Sequence, residues 1–465
     1  VAVIGRELCG LVAGALCAQA GRRVMVIDDG DAHGRALGDR MAPIAPSLWR
    51  LPSAGPVAQL FEHLRFKADA RRVLGDAVGV GVVDDPELRC VFPVSDDARR
   101  RELTRALGED GAQLAARLAA VDATRRHPAL AELATLHEDG WFFQARRARR
   151  RAAALGDVAR VDAADADVAA VCAGAAGATP VVHQLQRFVQ WGAKPLPGTL
   201  AAAVALANLQ YGTLLGGSGL GPRAGLSDML EAFIVSHGGE VVADRVAEID
   251  CAGKRITGIR TEKKKHEAVP VAVIDATGAR DLVDRLPSGR AREKLLAQQG
   301  RVVVAAPANS VRWLLPIRVL PRGMPPVLLH LDDAGEVPVC ISISMGAPIN
   351  ASGKGSHLDE QLVCVVATAH TKEPAEIEAV LNTLMPFATD ACRARDVVDA
   401  SAACPAYDVK ESEHPFGGRR PRTAFKNLVR AGRDLAPIWG MDGELVSAHS
   451  VFALVDAMFP RQPKA

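Results

Sequence analysis

Apolar residues follow two rhythms along this 465-residue chain. Short unbroken apolar runs, Val1-Ala-Val-Ile, Val24-Met-Val-Ile and Val271-Ala-Val-Ile, read as strands buried on both faces. Between the first two lies Leu8-Cys-Gly-Leu-Val-Ala-Gly-Ala-Leu-Cys-Ala-Gln, a small-residue helix closed by Gly21. A helix capped near Ser227, with Asp228 and Glu231 in its first turn, is expected to stop at His237-Gly238-Gly239. Alternating strands follow over 240–249 and 255–260. From about Pro43 to Gly192 the rhythm turns helical, as in Asp97-Ala-Arg-Arg-Arg-Glu-Leu-Thr-Arg-Ala-Leu. Residues 300–405 mix strand-like runs, such as Val339-Cys-Ile-Ser-Ile-Ser, with helical ones, such as Ala375-Glu-Ile-Glu-Ala-Val-Leu. The last stretch, from Asn427 to Ser447 and beyond, predicts a strand, a glycine turn and a final helix.

Composition narrows the class without naming a chemistry. Hydrophobic residues are 49% and charged residues 24%, as in a globular protein with a sizeable core. The net charge of +2 gives no global field for nucleic acid or an acidic partner. Nine cysteines without a C-x-x-C pair argue against a disulfide framework or a zinc site and fit a reducing cytoplasm. No metal ligand set is expected. Apolar runs are too short to span a bilayer, and no basic-then-apolar leader precedes the first strand. The run Trp141-Phe-Phe followed by Arg146, Arg147, Arg149, Arg150 and Arg151 leaves two readings open, a solvated helix face or a peripheral membrane contact.

The first strand, helix and second strand form a dinucleotide-binding βαβ unit. Gly5 and Gly10 hold the first and third glycine places, and Asp28 stands where an acid would bind a ribose hydroxyl. Glu7 occupies the second glycine place. A like charge near 4 Å costs roughly 4 kcal/mol at an effective dielectric of 20, against the roughly 12 kcal/mol behind nanomolar binding. Arg35, in the loop after the second strand, is either a solvated residue or a phosphate contact. The glycine-rich stretch 216–225 has no preceding apolar strand and no P-loop lysine, so it is a weak second phosphate loop.

Together, 1–42, 216–280 and 416–465 resemble the flavoprotein amine oxidases, and within them the phytoene-desaturase and carotenoid-isomerase branch. The resemblance implies an α/β architecture: a Rossmann-like, glutathione-reductase-like FAD-binding domain of 1–42, 216–290 and 415–465, a mainly helical insertion over 43–192, and an α+β substrate domain of 193–215 and 291–414. It implies that Gly5, Gly10, Asp28 and Arg35 contact the ADP half of FAD. By the same resemblance Val246 offers its backbone to the adenine, and Thr277 and Gly278 lie beside the flavin nucleotide. Pro437, Gly440 and Gly443 match the terminal motif that holds the ribityl chain and flavin ring. The acid of that motif falls on Arg433, with Asp434 one residue later. Two arrangements follow. Glu7 and Arg433 pair and close an empty site, or Arg433 meets the pyrophosphate while Asp434 serves as the acid.

Two functions are therefore expected from different classes. One is a FAD-dependent oxidoreductase, desaturase- or isomerase-like, acting on an apolar small molecule. The alternative is a flavin-free pseudoenzyme serving as a binding or structural subunit beside a homologous protein. An NAD-dependent dehydrogenase explains less, because it leaves the terminal glycine pattern without a role. No acid or base stands out; His183 and His449 qualify only by lying on segments expected to face the cavity. No nucleic-acid partner is expected, and the oligomeric state stays open.

Overall fold

The computed structural model describes residues 1–28, 34–46, 56–65, 77–84, 88–93, 95–123, 213–214, 222–263, 270–277, 282–299, 302–331, 339–348, 361–401, 403–404, 406–409, 421–435 and 440–460. Gly278, Pro437, His183, the Trp141–Arg151 segment and 216–221 lie outside them.

A five-stranded parallel sheet runs in the order Leu428–Arg430, Val273–Asp275, Ala2–Ile4, Met25–Asp28, Glu240–Ala243. Chain segments more than 400 residues apart thus share one sheet. The first helix, Leu8–Gln19, has no charged residue, and Leu8 through Ala18 are all buried. A helix apolar all round must be covered on every side. It shares one core with Leu226, Leu230 and Ile234 of the helix Pro222–Ser236, and with Leu445, Ala448 and Val451 of the last helix, Gly440–Met458. On the opposite face of the sheet, Ile4, Ile27 and Val273 meet Ile249 and Ile259 of an antiparallel ribbon formed by Val246–Ala252 and Arg255–Thr261.

Two helix ends are closed in the same way. After Leu8–Gln19, Gly21 at φ +73° donates to Ala18, and Arg22 donates to Cys17. After Pro222–Ser236, Gly238 at φ +79° donates to Val235, and Gly239 donates to Ile234. These are paired Schellman bonds, and the positive φ is what calls for glycine there. The second helix begins at Pro222, five residues before the expected cap; Ser227 is buried inside it. Proline is at ease at a first helical position, which moves the start upstream.

A second sheet has seven strands in the order Ala394–Asp399, Ala308–Pro316, Leu362–His370, Val339–Ser344, Val327–Leu331, Val80–Asp84, Leu88–Phe92. The helix Pro374–Leu384 covers the face formed by Val311, Trp313, Val365 and Ile341, and it starts with a capping box between Glu373 and Glu376. Of 43–192, expected to be mainly helical, the described part includes the helices Pro56–His63 and Asp96–Ala123. It also supplies the hairpin Val80–Asp84 and Leu88–Phe92 to this sheet. No helix among the described residues is long and apolar enough to cross a membrane.

Arg312 joins the second sheet to the hairpin Gly34–Leu37 and Arg40–Pro43. Its side chain is fully buried and bonds Asp396 twice, Nε to Oδ1 at 2.8 Å and Nη2 to Oδ2 at 2.5 Å. Nη1 donates to the carbonyls of Arg35 (3.1 Å) and Ala42 (3.2 Å), and Nη2 to that of Ala36 (3.2 Å). Removing the guanidinium takes a donor from one partly exposed carboxylate and from four carbonyls, that of Pro43 (3.4 Å) included. Arg312→Met is expected to lower stability by about 3 kcal/mol, read by urea denaturation; an unchanged midpoint would show that the hairpin is held by something else.

Candidate nucleotide site

Because the first sheet is parallel, its strands all end on one edge. Ile4 stands beside Asp275 and Ile27, Asp275 beside Arg430, and Asp28 beside Ala243. Gly5, Asp28, Thr277 and the Arg433–Asp434 turn therefore gather where open α/β sheets take their ligands. Val246 follows Ala243 by three residues and is buried at the start of the ribbon.

The glycine turn is shaped by the next strand. Gly5 has φ +97°, and a Cβ there would stand 2.7 Å from both the carbonyl carbon and oxygen of Ala276. A Cβ on Gly10 would stand 2.6 Å from the Cβ of Ala276. Both glycines are thus demanded by the packing of the first helix on the Ala276 turn. Thr277, next along, donates to Asp275 Oδ1 from its Oγ1 at 2.7 Å and from its backbone N–H at 3.2 Å. Arg6 leaves the turn toward the helix Pro222–Ser236, where it forms a bidentate pair with Glu231.

Glu7 is the N-cap of the first helix. Its backbone is extended (φ −60°, ψ 151°), and its carbonyl accepts from Gly10 and Leu11 at 2.9 and 3.0 Å. Its carboxylate makes no capping bond. The leading N–H groups of the helix, which no intrahelical acceptor reaches, are therefore not consumed by Glu7. That is the arrangement an anion would use.

Arg433 Nε lies 2.6 Å from Glu444 Oε1, and the Glu444 side chain is only 3% exposed. One turn along the same helix, Ser447 Oγ accepts from the Gly432 N–H at 2.9 Å. Glu444 and Ser447 thus fasten the turn to the last helix. An acid three residues before Ser447 shares its face of the helix, which sets Glu444 against the turn. Asp434 is buried, and its Oδ1 lies 2.4 Å from where a Cβ on Gly432 would stand. Gly443 is buried in the first turn of the last helix, which Gly440 opens.

Arg35, expected in a loop, lies in the strand Gly34–Leu37 with its side chain exposed. His449 is buried on the last helix, with its ring centroid 5.3 Å from that of His63. Burial, and then the neighbouring His63, hold it down to about 4. Among the described residues no group of three or more His, Cys, Asp or Glu could hold a metal ion. Two residues of this edge escaped the sequence reading. Glu444 gave no sign; Arg430 did, as a charge inside the apolar run Leu428-Val-Arg-Ala.

No protein-family profile matches the chain, and no curated protein does. Solved structures do. An oxidoreductase from Methanosarcina mazei is similar at 15% identity with a TM-score of 0.54, over 97% of this chain and 99% of that one. A Rab GDI from Plasmodium falciparum is similar at 10% identity with a TM-score of 0.59, over 97% and 96%. Cyclohexylamine oxidase from Brevibacterium oxydans is similar at 14% identity with a TM-score of 0.52, over 99% of both chains. The chain has their fold. The fold is an α/β one with a parallel nucleotide-type sheet, as the sequence predicts, and at these identities the likeness carries fold alone.

Two outcomes test this geometry. Arg433→Leu strands the buried Glu444 carboxylate and is expected to cost about 3 kcal/mol, most of it restored by adding Glu444→Leu; equal losses in the single and double variants would show that the pair does not hold the turn. For His449, the folded value lies below the ordinary 6.5. The stability from keeping it neutral is complete above pH 6.5 and falls as pH drops toward 4, by about 3 kcal/mol in all at 1.36 kcal/mol per unit. His449→Leu should flatten the unfolding free energy between those pH values, and an unaltered slope would assign the acid loss to carboxylates.

Proposed function

We propose that the chain is a FAD-dependent oxidoreductase acting on an apolar small molecule, with the desaturase- or isomerase-like branch as its nearest chemistry. The carrying observation is the uncapped start of the first helix. Glu7 stands at the N-cap without spending the helix's leading N–H groups on itself, so its presence does not by itself close the site to an anion. The residues that would hold the cofactor are the amides after Glu7, Asp28 at the end of its strand, the backbone at Val246, and the turn beginning at Thr277. When bound, a flavin supplies the acceptor for a hydride or electrons.

The chain's own part is to bind, orient and exclude water. The second sheet offers a face beside the Arg312 joint that is buried yet partly polar, with a hydroxyl pair between Ser310 and Thr368 and with His370 bonded to the Cys404 carbonyl at 2.8 Å. Burial holds the His370 imidazole below its ordinary range. No residue is assigned as acid or base.

A second reading is favoured by one observation. Arg433, in the place of the family's acid, pairs with Glu444 inside the fold. A flavin-free subunit keeping the fold for binding a homologous protein would tolerate that change. Cytoplasmic residence and a peripheral membrane contact remain parts of the proposal.

The test is the visible spectrum of the purified protein after incubation with FAD and removal of the unbound portion. The oxidoreductase reading expects flavin absorbance retained by the wild type and binding at least tenfold tighter in Glu7→Gly, as relief of a like charge near the diphosphate requires. A protein that remains colourless in both forms supports the flavin-free subunit.

A further inference from the structure

Arg430 is buried at the carboxyl edge of the parallel sheet, with its side chain 2% exposed. It sits in register with Asp275, two strands from Ile4 and the glycine turn. A guanidinium keeps its charge at any pH a protein survives, so its burial must be met by acceptors or by negative charge. Here both fall short. Nε lies 3.6 Å from Asp275 Oδ2, beyond hydrogen-bond reach, and neither Nε nor Nη2 finds an acceptor among the described residues.

The carboxyl beside it is partly engaged elsewhere. Asp275 Oδ1 is already occupied by the Thr277 hydroxyl and N–H. Burial pushes Asp275 up; Arg430 and the Thr277 bonds oppose that push, and the charge of Asp434 adds to it. The edge thus holds a permanent cation with two unused donors beside a carboxyl whose one oxygen is already engaged. A native interior rarely leaves such donors without an explanation.

We propose that Arg430 is a phosphoryl-binding residue, whose Nη2 and Nε donate to the diphosphate oxygens of the dinucleotide and whose charge offsets Glu7. The inference rests on the flavin reading above, which it deepens. Parallel neighbours lie about 4.8 Å apart, so the two steps from the Ile4 strand to that of Arg430 span about 10 Å. A side chain of arginine length together with a diphosphate bridges that gap. Planar bidentate recognition of phosphate is what a guanidinium does best. No existing hydrogen bond has to break, because Asp275 Oδ2 makes none with Arg430.

The experiment uses the full chain with Arg430→Met and Arg430→Lys. FAD affinity is read by fluorescence quenching at equilibrium, and the response to inorganic pyrophosphate by the shift in Tm. Arg430→Met should weaken FAD at least tenfold and abolish the pyrophosphate-induced rise in Tm, while its ligand-free Tm equals or exceeds that of the wild type. A residue serving only the Asp275 pair would do the reverse, lowering the ligand-free Tm and leaving FAD affinity unchanged, and that result overturns the inference. Should the methionine variant not fold, Arg430→Lys keeps the charge but loses the fork; about tenfold weaker binding supports the inference, and unchanged binding overturns it. The two readings fail separately. A wild type that binds FAD as tightly as Arg430→Met sinks the inference and leaves the flavin reading standing. A wild type stabilised by pyrophosphate through Arg430 but blind to FAD sinks the flavin reading and leaves the phosphoryl site. A wild type that binds neither sinks both.

Discussion

The contact between the first helix and Ala276 governs the nucleotide half of this molecule. Gly5 and Gly10 come so near that residue that a single added methyl group at either would overlap it, at 2.7 and 2.6 Å. The close approach sets the depth of the helix against the sheet. It also brings the end of the Val273–Asp275 strand beside the glycine turn, and so carries Asp275, Thr277 and Arg430 to the same edge. Interiors packed at crystal-like density absorb such an overlap poorly. The glycines are therefore accounted for by the protein itself, and they testify to the fold more strongly than to its ligand.

Charge at this edge is organised in local pairs. Arg6 is taken by Glu231 and Arg433 by Glu444, each from a helix that packs beside the first one. Such pairs fix turns to helices more than they add to net stability, because desolvation consumes most of the attraction. What distinguishes Arg430 is that two of its guanidinium nitrogens, Nε and Nη2, have no acceptor among the described residues.

The parallel core was legible because its evidence is local. Apolar runs flanked by glycine or acid mark Ala2–Ile4, Met25–Asp28 and Val273–Asp275, and the glycines at 21 and 238 end their helices by the positive φ they permit. Pairings across the chain were not legible. The partner of Arg433 depends on the face that Glu444 shares with Ser447, which is set by how the last helix is rotated against the turn. The hairpin Val80–Asp84 and Leu88–Phe92 stands amid helical sequence, and its strands are stabilised by joining Val327–Leu331, some 240 residues later. That His449 neighbours His63 was not legible either, because periodicity gives a face but not what covers it.

The burial of the first helix has a consequence for synthesis. Leu8–Gln19 carries no charge, yet one of its covering surfaces, Gly440–Met458, is made roughly 420 residues later. At about 5–20 residues per second, the interval between them is on the order of 20 to 80 s. During that time an apolar segment of the nascent chain lacks one of its covers. The order of these elements thus makes the apolar helix wait for part of its burial, irrespective of what the finished site binds.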